Sequence, residues 1–177
     1  AELVAAAVRG FRDAGVVCCL KHFPGHGDTA ADTHEGPAVS DRTLSELESG
    51  EFLPFASGIA AGADMVMVGH FTVPAVDSAP ASMSRTIVTG LLREELGFGG
   101  VIVTDGLEMG ALSAWTDAEK CVRCLSAGCD VLLGVTDIPG ALTGLSAALA
   151  DGTLSAAQVD ESVLRVLTLK LRQGILS

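Results

Sequence analysis

Five titratable side chains crowd one short stretch of this chain. His22, His26, Asp28, Asp32 and His34 fall within 13 residues, and only four histidines exist in the whole sequence. The stretch reads Lys21-His22-Phe23-Pro24-Gly25-His26-Gly27-Asp28-Thr29-Ala30-Ala31-Asp32-Thr33-His34 and begins where an apolar run ends. Glycines on both sides of His26 open backbone angles closed to other residues. A histidine titrates near neutrality, so it can hold and release a proton without the burial a carboxylic acid would need. Asp32 can accept a hydrogen bond from one ring nitrogen of His34, fix its tautomer and favour the imidazolium. The other nitrogen is then able to give its proton to a departing oxygen. Zinc is the rival chemistry, since every one of these five residues is a plausible ligand. Their spacing matches no zinc pattern: there is no His-Glu-x-x-His, no His-x-His pair and no Cys-x-x-Cys beside them, so no metal and no cofactor is assigned. A solvated connection whose histidines bind backbone suits His26 or Asp28 singly but accounts poorly for the cluster.

Asp105 directly follows the apolar run Val101-Ile102-Val103-Thr104. On residue type alone two readings stand side by side, a helix N-cap and a nucleophile. Glu108, one helical turn on, reads as a capping or pairing residue. His70 closes the run around Met65-Val66-Met67-Val68 and is either a lining residue or a packed strand-end histidine. Cys121-x-x-Cys124 lies on a predicted helix with no second pair, so both read as small core residues. Cys18 and Cys19, strand neighbours facing opposite sides, do not favour a disulfide. Trp115 reads as a loop residue in reach of a ligand.

The elements that must position these groups follow from hydrophobic periodicity. Four runs have the continuous apolar character of strands buried on both faces: 16–20, 65–68, 101–104 and 131–133. Amphipathic segments alternate with them at 2–14, 43–61, 85–96, 117–127, 140–149 and 156–173. Thr43 with Glu46, Thr116 with Glu119 and Ser155 with Gln158 have capping-box spacing, while Gly15, Gly62, Gly97 and Gly128 fall at expected helix ends. Alternating strand and helix implies parallel strands with right-handed crossovers. The predicted fold is α/β, a partial (β/α)8 TIM barrel of about four βα units, because a whole barrel takes about 250 residues. A doubly wound sheet is the alternative, but Gly25-His26-Gly27 lacks the spacing of a dinucleotide-binding turn. In a barrel, the loops at the strands' C-terminal edge build the active site, and both the histidine-rich stretch and Asp105 belong there.

Lys-His-Phe-Pro-Gly-His-Gly followed by Asp-x-His resembles the signature of glycoside hydrolase family 3, β-N-acetylhexosaminidase (β-N-acetylglucosaminidase) type. Segments such as Leu53-Pro54-Phe55, Pro80-Ala81-Ser82-Met83-Ser84 and Leu91-Leu92-Arg93-Glu94-Glu95-Leu96-Gly97-Phe98 extend the resemblance over almost the whole chain. It implies that Lys21 and His22 bind sugar hydroxyls, that Asp32 and His34 form an acid/base dyad, and that Asp105 is the nucleophile; His70 joins the substrate-binding set. Gly106 stands where the family often has another residue. The resemblance implies a retaining hydrolase removing terminal β-linked N-acetylglucosamine, with peptidoglycan recycling as a setting and muropeptides as possible substrates. A phosphorylase and an inactive barrel fragment used for assembly are the competing functions. It also implies that residues 1–177 are the C-terminal part of the catalytic barrel, leaving a sheet edge and apolar helix faces open to self-association or to pairing with an N-terminal half.

Charge narrows the partners. A formal net charge of −11 disfavours nucleic acid and anionic membrane surfaces. No apolar run approaches the roughly 18 residues of a transmembrane helix. Five cysteines without framework spacing point to reduced thiols and a cytoplasmic setting.

Overall fold

The computed structural model describes residues 1–27 and 32–176; Asp28 lies outside the described residues. Helix α1 (Glu2–Asp13) leads to strand β1 (Cys19–Phe23), followed by helices α2 (Leu44–Ser49) and α3 (Phe52–Ala60). Strand β2 (Met65–Val68) precedes a small antiparallel ribbon, β3 (Thr72–Val73) with β4 (Asp77–Pro80), that the periodicity did not announce. A wide, π-type helix over Thr86–Glu95 leads to strand β5 (Val101–Gly106), then α4 (Asp117–Ala127), β6 (Val131–Leu133), α5 (Ile138–Asp151) and α6 (Ala156–Arg172).

Local chemistry sets these boundaries. Glu46 and Thr43 exchange side-chain and backbone bonds as a full capping box, and Thr116 with Glu119 does the same at α4. At α6 only half the motif forms: Ser155 accepts from the Gln158 amide at 3.1 Å, while the Gln158 side chain donates to the Leu125 carbonyl of α4. Gly128 closes α4 with φ +113°, a left-handed angle that a side chain would resist.

β1, β2, β5 and β6 form one all-parallel sheet, each beside its predecessor, in the order β1-β2-β5-β6. A doubly wound sheet reverses its order partway; this one runs monotonically, as barrel strands do. Cys19 stands opposite Met65, and Met65 opposite Val101, so the strands end at a common edge. Phe23, Val66, Val68, Phe71, Leu92 and Ile102 are fully buried in the core. All five cysteines are free; Cys121 and Cys124 pack in the interior, Cys18 is buried just before β1, and Cys19, its first residue, is exposed.

The opposite edge is fastened by a buried carboxylate. Asp130 accepts from Arg93 at 2.6 Å, Arg165 at 3.0 Å, Ser162 at 2.8 Å and the Ile102 amide at 2.8 Å. This ties α6 and the π-type helix to β5. Elsewhere apolar side chains face outward: Leu3 and Phe11 on α1, Leu142 on α5, Leu164 and Leu171 on α6. Within the described sheet β1 and β6 each have a single strand neighbour. No helix is long and apolar enough to cross a membrane among the described residues.

Candidate active site

β1 and β5 both run further than their apolar cores. β1 begins at Cys19 and carries Lys21 and His22 within it, so these two belong to the strand rather than to the loop after it. β5 likewise includes Asp105 and Gly106. Polar residues at a strand's C-terminal end point into whatever space the sheet edge leaves open. That space is a cleft of about 560 Å³, and Lys21, His22, Asp32, His34 and Asp105 all line it. The peptide bonds Lys21–His22 and Phe23–Pro24 are cis.

Asp32 and His34 form a compact pair. Asp32 Oδ1 accepts from His34 Nδ1 at 2.6 Å and from the His34 backbone amide at 2.9 Å. A carboxylate can only accept, so Nδ1 carries the proton and Nε2 is the second titrating position. The Asp32 carboxylate raises the His34 pKa, by hydrogen bond first and charge second, and the two bonds from His34 lower that of Asp32. Both side chains are exposed, which leaves the pair accessible from solution.

The dyad loop is pinned to the chain that follows Asp105. Gly110 donates its amide to the His34 carbonyl at 3.1 Å, and Ala111 donates to the Thr33 carbonyl at 3.1 Å. Asp105 itself accepts from the Gly106 amide through Oδ1 at 2.9 Å and faces His22 Nε2 through Oδ2 at 3.5 Å. Burial lowers the His22 pKa, against the opposing pull of Asp105. His26 bonds Thr33 Oγ1 at 3.0 Å and packs its ring on Phe71, so it braces the loop.

His70 is placed differently from the other five expected site residues. Its ring is fully buried behind the strand end rather than in the cleft, with Nδ1 2.8 Å from Ser82 Oγ and Nε2 3.0 Å from the Gly106 carbonyl. Trp115 packs against the core and does not line the cleft. Glu51, Pro54 and Phe55, from the α2–α3 region, form a wall the residue-type argument had not singled out, although Leu53-Pro54-Phe55 belongs to the resemblance. Among the described residues no group of three His, Cys, Asp or Glu side chains could hold a metal ion.

A dyad and a carboxylate meeting at the edge of a parallel sheet invite comparison with carbohydrate-cleaving barrels. Residues 1–169 match the family model described as glycosyl hydrolase family 3 N terminal domain. The chain belongs to glycoside hydrolase family 3. It is 43% identical over 134 residues to a β-hexosaminidase of Stenotrophomonas maltophilia (strain K279a), covering 75% of this chain and 40% of that one. The solved family 3 β-N-acetylglucosaminidase of Paenibacillus sp. str. FPU-7 matches with a TM-score of 0.91 and 42% identity, over 97% of this chain and 34% of that one. The β-glucoside phosphorylase BglX also matches at a TM-score of 0.91, with 27% identity, over 97% of this chain and 33% of that one. The chain therefore spans about 40% of the length of the curated relatives it matches, and its four parallel strands are part of a (β/α)8 barrel.

Proposed function

We propose that this family 3 chain serves a retaining glycosidase that removes terminal β-linked N-acetylglucosamine. The observation that carries the reading is the convergence of the Asp32–His34 pair and Asp105 on one cleft. Asp105 attacks the anomeric carbon as the bond to the leaving oxygen breaks, and His34 Nε2 delivers its proton to that oxygen. Water then attacks the glycosyl-aspartate, His34 takes back a proton, and Asp105 is released, so two inversions give net retention. Lys21 and His22, on the cleft wall beside Asp105, bind sugar hydroxyls. The monotonic strand order and the single neighbours of β1 and β6 support a partial barrel. The placement of residues 1–177 in its C-terminal part follows the family resemblance, with the remaining strands completing the sugar site. The N-acetylglucosamine specificity fits peptidoglycan recycling on muropeptides, and the free thiols fit a reducing cytoplasm.

A mechanism-based fluorosugar tests the reading. Labelling at Asp105, abolished in D105A, supports it; labelling elsewhere, or none in the complete protein, overturns it. One observation favours a second reading, a phosphorylase: Lys21, His22, His26 and the protonatable His34 gather on one cleft, which suits an anionic acceptor. A sugar 1-phosphate appearing only with added phosphate would select it.

A further inference from the structure

We propose that His70 is a positioning residue: its buried ring donates from Nε2 to the Gly106 carbonyl and so holds the glycine whose amide orients the Asp105 carboxylate. The inference rests on the reading of Asp105 as the reacting carboxylate and adds the group that aims it.

Gly106 has the freest backbone available to a residue, and it sits immediately after the nucleophile. Its amide donates to Asp105 Oδ1 at 2.9 Å, which leaves Oδ2 on the His22 side. Nothing on Gly106 itself fixes that amide. The fixing comes from outside, at successive peptide groups. His70 Nε2 grips the Gly106 carbonyl at 3.0 Å, the Leu107 amide donates to the Leu133 carbonyl at 2.8 Å, and Lys120 Nζ donates to the Leu107 carbonyl at 2.8 Å. A carbonyl only accepts, so His70 Nε2 must carry hydrogen. In the neutral ring, Nδ1 then accepts from the Ser82 hydroxyl at 2.8 Å. Both ring nitrogens are used, and the ring has no path to the cleft. Burial lowers the His70 pKa against the pull of the Gly106 carbonyl and Asp105, which favours that neutral tautomer.

Three substitutions separate this role from mere packing. H70Q keeps an amide donor where Nε2 stands; H70N carries its amide only as far as the Nδ1 position; H70L has no donor. With ¹⁵N-histidine labelling, the wild-type ring should show the Nε2–H tautomer. Hydrogen exchange at the Gly106 amide should accelerate about ten-fold in H70N and H70L, the scale of one lost hydrogen bond, and recover in H70Q. Exchange at Val66 and Ile102 should stay unchanged. Should H70L fail to fold, the wild-type tautomer and the H70N–H70Q pair still decide. An Nδ1–H tautomer, or equal Gly106 exchange in every protein, overturns the proposal. On a nitrophenyl β-N-acetylglucosaminide, kcat should fall in the same order with KM unchanged. An altered Gly106 amide with no turnover even in the complete wild-type protein would instead sink the glycosidase reading and leave the contact standing.

Discussion

His22 Nε2 stands 3.5 Å from Asp105 Oδ2, although their strands β1 and β5 are separated by β2. Side chains that meet across an intervening strand are what a closed barrel produces, because each interior layer is contributed by alternate strands. An open flat sheet would hold the ends of its first and third strands about two strand spacings, roughly 9–10 Å, apart. Curvature toward the barrel axis brings the two groups together.

This contact makes His22 a reporter of Asp105. Burial is the larger influence on the imidazole and lowers its pKa, while the aspartate charge works against it. Replacing Asp105 by Asn removes the opposing charge and leaves burial, with the neighbouring Lys21, His26 and His34, all acting to lower the pKa. His22 should then titrate at a lower pH than in the wild type, followed by ring-proton NMR. An unchanged midpoint would show that the two side chains do not meet in solution.

The dyad gives the opposite sign. Asp32 raises the His34 pKa, first through the 2.6 Å hydrogen bond, so His34 keeps its proton further into the alkaline range. D32N should move the alkaline limb of kcat/KM to lower pH. H34A should cost about 10² to 10⁴ in rate on glycosides with poor leaving groups, and far less on nitrophenyl glycosides, which leave without a proton. Equal losses on both substrates would remove His34 from the acid role.

Much of the frame was legible because its signals are local. The α4 boundaries follow from Thr116, Glu119 and Gly128, and β2 and β6 from their apolar runs, without reference to the rest of the molecule. The apolar Val16 and Val17 place β1 three residues early, whereas the strand continues past Leu20 through Lys21 and His22, its pairing with β2 shifting register there before Phe23 meets Val68. Strand ends that serve a site hold polar residues, and a period-based reading cuts them off. The π-type helix hides within ordinary amphipathic spacing, since its extra residue per turn shows only in bonds such as that from the Leu96 amide to the Leu91 carbonyl. The orientation of His70 had no local signal at all. Its partners Ser82 and Gly106 lie 12 and 36 positions away, on elements brought together only by the sheet.

Gly110 offers a test of how the dyad is held. A Cβ built there would stand 2.8 Å from the carbonyl oxygens of His34 and Glu35, both backbone atoms that cannot swing aside. G110A should therefore displace the dyad loop from Asp105. Activity on poor leaving groups should drop about 10²-fold, the cost of misplacing a reacting group by about 1 Å, with a smaller loss on nitrophenyl glycosides. Parallel losses on both substrates would place the damage at Asp105 instead.

Asp130 carries the far edge of the sheet. D130A leaves Arg93 and Arg165 without their shared carboxylate and strips the Ile102 amide of its acceptor. The expected loss is about 3 kcal/mol, in line with removal of one partner from a buried ion network, read from urea unfolding. A loss below about 1 kcal/mol would mean the two guanidiniums find water as readily as they found Asp130.

Asp117 ties the loop after β6 to the start of α4, and its protonation should set an acid limit on the fold. One oxygen accepts from Lys120 Nζ at 3.1 Å; the other accepts from the Thr136 amide and hydroxyl and from the Asp137 amide. These donors, the Asp137 amide foremost, hold the carboxyl far below its ordinary value of 3.8. The folded state thus binds this proton less readily than the unfolded chain does. The contribution to stability is complete above the ordinary carboxylate range and drains away as the pH falls from there toward the depressed folded value. D117N cannot ionise, so it should be less stable than wild type near neutrality, and the gap should narrow as the solution is acidified. Thermal midpoints of both proteins taken down the pH scale decide the matter. Parallel curves would show that the Asp117 carboxylate contributes nothing through its charge.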